Sequence, residues 1–362
     1  MTGAKGGTVS RSIIPGAGVL IAALAIAVGV ASAQAPAVNP NEAAQAAAEQ
    51  KQRIDQPLNN QPVWKEVRSG EPQITTVRGR ETNVLIQPEG QTWRAIRVPI
   101  ATAGGWLLAL AALAVMGFYA WRGPIDLDGR PTGRVIERFT TVKRVAHWSM
   151  ALSFVALAVS GLVITFGKAV LLPLIGYTLF SWLATVTKLL HNFIGPLFAV
   201  ALVVFIVLFI RDNVPKAYDV QWLAKFGGML DRSGATHVPS GKFNAGEKVQ
   251  FWLMVCVLSV ASAVTGLILN FPNFDQTRAT MQLVNLIHLG TAMLAMAMAI
   301  AHIYLGTIGT RGAYEAMRYG YVDETWAKEH HEYWYDDVVA GKVDRGVAPS
   351  AGPAAPPKAA TA

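Results

Sequence analysis

The chain has 362 residues, of which 52% are apolar and only 15% charged, with a formal net charge of +8. Several apolar runs of 18 residues or more exclude an ordinary soluble domain and indicate a multi-span membrane protein. One cysteine, Cys256, excludes an intrachain disulfide, a cysteine-ligated zinc or iron–sulfur site and covalently attached haem, so any metal must rest on histidine or oxygen ligands. The basic excess is what loops on the cytoplasmic side of a membrane produce. No basic cluster is interleaved with aromatics, so no nucleic-acid partner is expected.

In chain order, residues 1–33 read as a signal peptide. Lys5 and Arg11 give the positive start, Ile13 to Val30 the apolar core, and Ala31-Ser32-Ala33 or Ala33-Gln34-Ala35 the cleavage site; an uncleaved first span is the alternative. Residues 34–99 read as a polar linker followed by a small extracytoplasmic subdomain. Gln73 to Val77 and Thr82 to Gln87 suggest a hairpin, and Pro-Glu-Gly at 88–90 a turn.

Five spans follow: about Ile100 to Trp121, His147 to Phe166, Leu190 to Ile210, Val249 to Phe271 and Leu283 to Thr307. The connection Arg122 to Ala146 holds Arg122, Arg130, Arg134, Arg138, Lys143 and Arg144. The connection Arg211 to Lys248 holds Arg211, Lys216, Lys225, Arg232, Lys242 and Lys248. The other two hold only Lys168, Lys188 and Arg278. The positive-inside rule therefore places the first two in the cytoplasm, the mature N-terminus outside and the C-terminus inside. The apolar run Ala169 to Val186 could be a sixth span, but Pro173 and Gly176 interrupt it and a sixth span would invert the charge rule downstream. It is expected as an interfacial or re-entrant segment on the outer side. Residues 311–345 form a cytoplasmic segment, and the Pro/Ala-rich 346–362 reads as a disordered tail.

Four histidines fall inside the spans. His288 and His302 are fourteen residues apart, which is almost four turns and about 21 Å along a helix. Their rings leave nearly one face at opposite depths of a hydrocarbon layer about 30 Å thick. On this topology His191 lies at the outer depth with His288, and His147 at the inner depth with His302. Each pair joins two different helices, as a haem sandwiched between histidines in a bundle requires. Gly161, Gly195, Gly266 and Gly290 are places where helices or a flat macrocycle could approach. A titrating proton relay would favour Asp or Glu within the spans, and there are none. His237 reads as a solvated loop residue, His330 and His331 as surface or interface groups, and Met293, Met296 and Met298 as packing.

These residues also carry a resemblance. VWKEVRSG and TVRGRETNVLIQ before the first span, RFTTVKRVAHW, LHNFIGPLF, GKFNAGEKVQFW, IHLGTAMLAMAMAIAHIYLGTIGTRGAYEAM and GYVDETWAKEHHEYWY resemble the γ subunits of membrane-bound formate dehydrogenases, over roughly Val63 to Asp337. Those subunits are di-haem cytochromes b. The resemblance implies an all-α membrane protein: residues 100–121 as an extra first helix and 122–310 as a four-helix di-haem core. It implies two b haems on the same histidine pairs, and a quinone site on Asn244 and Gly246 beside His302. It also implies a bacterial inner membrane location and, as partners, a molybdenum or tungsten catalytic subunit and an iron–sulfur subunit. Electrons would enter at the outer haem and leave to quinone at the inner one. The signal peptide, the subdomain and the first span depart from the simplest four-span members. Related cytochromes b serve hydrogenases and thiosulfate reductases.

Overall fold

The computed structural model describes residues 88–232 and 236–343, together with Ala44, Ala47, Ala48 and Lys51 as helical positions. The expected signal peptide, hairpin and tail lie outside the described residues. Residues 1–86 and 87–362 divide into two units, and every helix and strand named below belongs to the second.

Among the described residues, five helices are long and apolar enough to cross a membrane. They are α1 (Pro88–Arg122), α2 (Thr141–Val170), α3 (Leu172–Phe209), α5 (Ala245–Asn270) and α6 (Arg278–Tyr304). Short α4 (Tyr218–Ala224) lies between α3 and α5. After α6 come α7 (Ala313–Tyr319), strand β2 (Tyr321–Asp323), α8 (Glu324–His330) and α9 (Glu332–Val339). Strand β1 (Val135–Glu137), between α1 and α2, pairs antiparallel with β2. The all-α membrane bundle expected from the sequence is thus the observed fold.

Three expectations need correction. Pro-Glu-Gly at 88–90 is the first turn of α1, because proline's fixed φ and missing N–H suit the start of a helix. The first helix therefore begins a dozen residues before Ile100, inside the stretch assigned to the extracytoplasmic subdomain. Second, the helix of the third span begins well before Leu190: the run 169–186 is helical on both sides of a turn at Leu171. The chain turns at Leu171, and α3 starts with Pro173 in its first two positions. Gly176 takes φ 74, a left-handed value open to glycine, and its non-helical backbone puts a kink between a short first segment, Leu172 to Ile175, and the long helix that follows. From there to Phe209 the helix is about 50 Å long, against about 30 Å of hydrocarbon. It carries exposed Tyr177 and Trp182 near its first end, residues suited to a membrane–water interface. Third, His331 is only 1% exposed. Its Nδ1–H donates to the Gly241 carbonyl at 2.7 Å. Burial, with Arg138 adding to it, holds His331 well below its ordinary pKa. Burial likewise lowers His330 to about 4. His331 is thus a neutral interior group, and His330 a neutral, half-buried one at the interface between the segments. His237, by contrast, is exposed and faces Asp128 at 2.8 Å.

Both basic connections and the C-terminal segment assemble into one cap at one end of the bundle. The β1–β2 pair joins the first connection to the segment after α6. Ser240 of the second connection donates to the His330 carbonyl, and Arg122 Nε donates to the Met229 carbonyl. Ile136, Phe139, Phe243, Trp326 and Trp334 of the cap share one core with Phe205 and Phe209 of α3. Arg138 is the hub. It is 4% exposed, bonds the Lys242 carbonyl and Glu247, and lies over the rings of Phe139, Phe243 and Trp326 at 5.0–5.5 Å. A charge-assisted hydrogen bond and three desolvated cation–π contacts together are worth about 3 kcal/mol. Arg138→Ala is expected to destabilise the protein by about that much, read as a lower thermal unfolding midpoint in detergent. An unchanged midpoint would show that the cap does not depend on this residue.

Candidate functional site

The four span histidines form two pairs. His191 of α3 and His288 of α6 have ring centres 6.2 Å apart. His147 of α2 and His302 of α6 have ring centres 6.3 Å apart. A metal–nitrogen bond of about 2.0 Å and about 1.1 Å from that nitrogen to the ring centre would separate two imidazoles on one metal by about 6.2 Å, centre to centre. Both pairs are therefore spaced to hold one metal ion between them. Among the described residues no three His, Cys, Asp or Glu side chains converge. Two imidazoles alone make a poor cage, whereas a metal that brings its own equatorial ligands, as haem iron does, needs only these two axial ones.

Neighbouring groups orient the outer pair. His191 Nδ1 is 2.9 Å from Ser160 Oγ. His288 Nδ1 is 2.9 Å from the Ser262 carbonyl and 3.2 Å from Thr265 Oγ1. Engaging Nδ1 leaves Nε2 as the donor to a metal, the usual second-layer arrangement for ligating histidines. The glycine after each hydroxyl residue makes the room. A Cβ on Gly161 would lie 3.4 Å from His191 Cε1, and one on Gly266 would lie 3.0 Å from His288 Cε1. Sequence reasoning missed Ser160, Ser262 and Thr265. The signal was the pair of dipeptides Ser160-Gly161 and Thr265-Gly266, each a hydrogen-bonding residue beside an absent side chain on an apolar helix. A Cβ at Gly195 or Gly290 would meet nothing within 4 Å. A cavity opens between His191 and His288, bounded by Phe154, Gly195 and Phe198 among others.

At the inner pair, His147 Nδ1 is buried without a hydrogen-bond partner among the described residues. Phe205 stands 6.2 Å from its ring and Trp148 5.3 Å. Phe154, packed on Phe198 at 6.1 Å, belongs to the apolar packing between the two levels. Met293 and Met296 are buried in that packing, as expected.

Asn244 and Gly246 lie at the start of α5. Asn244 caps the helix: Oδ1 accepts from Glu247 N at 2.9 Å, and the Glu247 carboxylate accepts from Asn244 N at 2.9 Å. This reciprocal box commits the amide oxygen and leaves the Nδ2 hydrogens to donate. Gly246 has a packing reason: a Cβ there would sit 2.9 Å from the Trp222 ring. Phe251 of α5 lies 6.3 Å from Phe205, the ring beside His147, which ties this end of α5 to the inner histidine pair. Helix α5 is π-helical over Gln250–Ser259, and α6 continues as π-helix over Leu305–Gly309. Such distortions concentrate at functional sites; the second lies at the capped end, and the first runs from there to Ser259 at the outer cavity.

Residues 138–320 match the family described as prokaryotic cytochrome b561. The chain belongs to that family. Its members are membrane electron-transfer haem proteins, so this protein is a membrane cytochrome b. All four span histidines, Asn244 and Gly246 fall inside the matched stretch, and α1 falls outside it. The chain is also similar to the cytochrome b556(Fdn) subunit of the nitrate-inducible formate dehydrogenase of Escherichia coli K12, 30% identical over 214 residues, which are 57% of this chain and 92% of that one. It is 29% identical over 216 residues to the cytochrome b556(fdo) subunit of formate dehydrogenase from the same organism, covering 56% and 93%. Against the formate dehydrogenase cytochrome b556 subunit of Haemophilus influenzae it is 25% identical over 217 residues, covering 58% and 86%.

Proposed function

We propose that this cytochrome b is the membrane subunit of a formate dehydrogenase, carrying electrons from exported partner subunits to quinone. The carrying observation is the pair of imidazole couples, each at the spacing of an iron sandwich and fourteen helical residues apart on α6. The similarity to three formate dehydrogenase cytochrome b556 subunits supports the choice of donor. His191 and His288 hold the outer b haem, and His147 and His302 the inner one. A bound b haem supplies a one-electron iron couple. Ser160, Ser262 and Thr265 fix the outer imidazoles in one tautomer and orientation. Asn244 donates its amide hydrogens to a quinone carbonyl at the capped end, with the Gly246 backbone beside it.

The partners on this reading are a molybdenum or tungsten catalytic subunit and an iron–sulfur subunit, docked at the end opposite the cap. The basic cap marks the cytoplasmic side by the positive-inside rule. That gives a bacterial inner-membrane protein with its mature N-terminus in the periplasm and its C-terminus in the cytoplasm. Residues 1–33 serve as its signal peptide. Formate oxidation outside and proton uptake by quinone inside would together move charge across the membrane. The purified chain should carry two b haems, both six-coordinate and low-spin, in oxidised and reduced absorbance spectra. A ratio near one haem per chain, or a high-spin spectrum, would sink the two-pair reading.

A further inference from the structure

Helix α1 has no part in either histidine pair, yet it reaches the outer cavity. It runs alongside α6 in the same direction: Arg97 meets Asn285, Gly104 meets Met293, and Tyr119 meets Tyr304. The contact at Gly104 is close, since a Cβ there would fall 2.5 Å from Met293 Cγ. That approach brings the Arg97 side chain to the cavity between His191 and His288. Besides the two histidines, the charged side chains lining this cavity are Arg97 and Lys188; among the described residues no carboxylate lines it. Arg97 Nε donates to Asn285 Oδ1 at 3.2 Å, and Lys188 Nζ donates to Asn192 Oδ1 at 2.9 Å.

Asn285 lies three residues before His288 on α6, and Lys188 three residues before His191 on α3. Both cations therefore sit about one turn beyond the imidazoles, on the side away from His302. Neither forms an ion pair with a carboxylate among the described residues. Lys188 is exposed, but Arg97 is half-buried, with the Trp93 ring 5.6 Å away; a cation without a counter-charge at the edge of an apolar bundle is costly, and a nearby anion offsets that cost. A haem b carries two carboxylates on one edge of its ring. A ring held between His191 and His288 with that edge turned outward presents them at this level.

We infer that Arg97, delivered by α1, and Lys188, delivered by α3, bind the carboxylates of the outer haem. This rests on the reading that His191 and His288 hold that haem. It gives α1, which lies outside the family match, a role in tuning the first electron carrier. Arginine suits the task because its planar fork matches a carboxylate and its charge is permanent. A cation beside the ring disfavours the ferric state, which carries one more positive charge than the ferrous state. Losing that cation therefore lowers the midpoint potential.

The test is a redox titration of the full-length protein, each haem followed by its own absorbance band. Arg97→Ala is expected to weaken the outer haem's preference for the reduced state about tenfold, a fall of about 59 mV for one electron. The inner haem should not move, and Arg97→Lys should recover part of the shift. Lys188→Gln, on an exposed side chain, should lower the same potential even if Arg97→Ala fails to fold. Reconstitution with haem dimethyl ester, which lacks the free carboxylates, should weaken retention of the outer haem in the parent protein and much less in Arg97→Ala. An outer potential unmoved in both Arg97→Ala and Lys188→Gln overturns the inference. So does esterification that weakens retention of the outer haem equally in Arg97→Ala and the parent protein, which would assign the cations to another anion such as a lipid phosphate. Failure of the underlying reading looks different: His191→Ala and His288→Ala would then keep both haems.

Discussion

His191→Ala and His288→Ala should each leave a protein with one haem instead of two, and the haem lost should be the same in both. His147→Ala and His302→Ala should each remove the other. The ring centres in each pair are about as far apart as one shared metal requires. An alanine leaves the metal with one axial ligand and an apolar gap where the second stood. Nothing among the described residues can replace it, since no third His, Cys, Asp or Glu converges on either site. Loss of either haem should break the electron path, so formate-driven quinone reduction by the assembled complex should fall by at least about 100-fold, the larger end of what the loss of a mere orienting partner costs. Haem-to-protein ratio and redox titration identify which haem is gone. If His147→Ala and His288→Ala depleted the same haem while sparing the other, the pairing by depth would be wrong.

That pairing was legible in the sequence because helical geometry is so regular. Fourteen residues on one uninterrupted apolar helix fix both the face and the depth of His288 and His302, whatever surrounds them. The apolar runs fixed the number of spans for the same reason. What failed was local. Pro173 and Gly176 do mark interruptions, a helix start and a kink, but nothing local says that the helix after Gly176 runs on to Phe209. The burial of His331 had no local signal at all. It depends on Gly241, some ninety residues earlier, and on Arg138, nearly two hundred residues earlier. Three separated segments make the cap, and its core exists only after they meet. The π-helical stretches in α5 and α6 likewise have no mark in composition. The reach of α1 to the outer cavity turns on its packing along α6, closest where Gly104 meets Met293, which no spacing rule exposes.

Asn244 should show two separable roles. Its Oδ1 caps α5, and replacing a capping asparagine by alanine costs about 1 kcal/mol of stability, whereas serine caps about as well. Its amide hydrogens are the group proposed to meet quinone, and serine lacks the amide. Asn244→Ser should therefore unfold near the wild-type temperature, keep both haems and accept electrons from formate normally. Reoxidation of the reduced haems by quinone should nevertheless slow about tenfold, the value of one hydrogen bond near the upper end of the usual range. Asn244→Ala should slow reoxidation by a similar factor and lose stability as well. Stopped-flow reoxidation and thermal unfolding separate the two effects. A merely structural asparagine predicts the reverse ranking, with serine indistinguishable from wild type in both measurements and alanine defective through instability alone. Wild-type reoxidation in Asn244→Ser would remove this residue from the quinone site. The acceptor would then be bound elsewhere at the capped end.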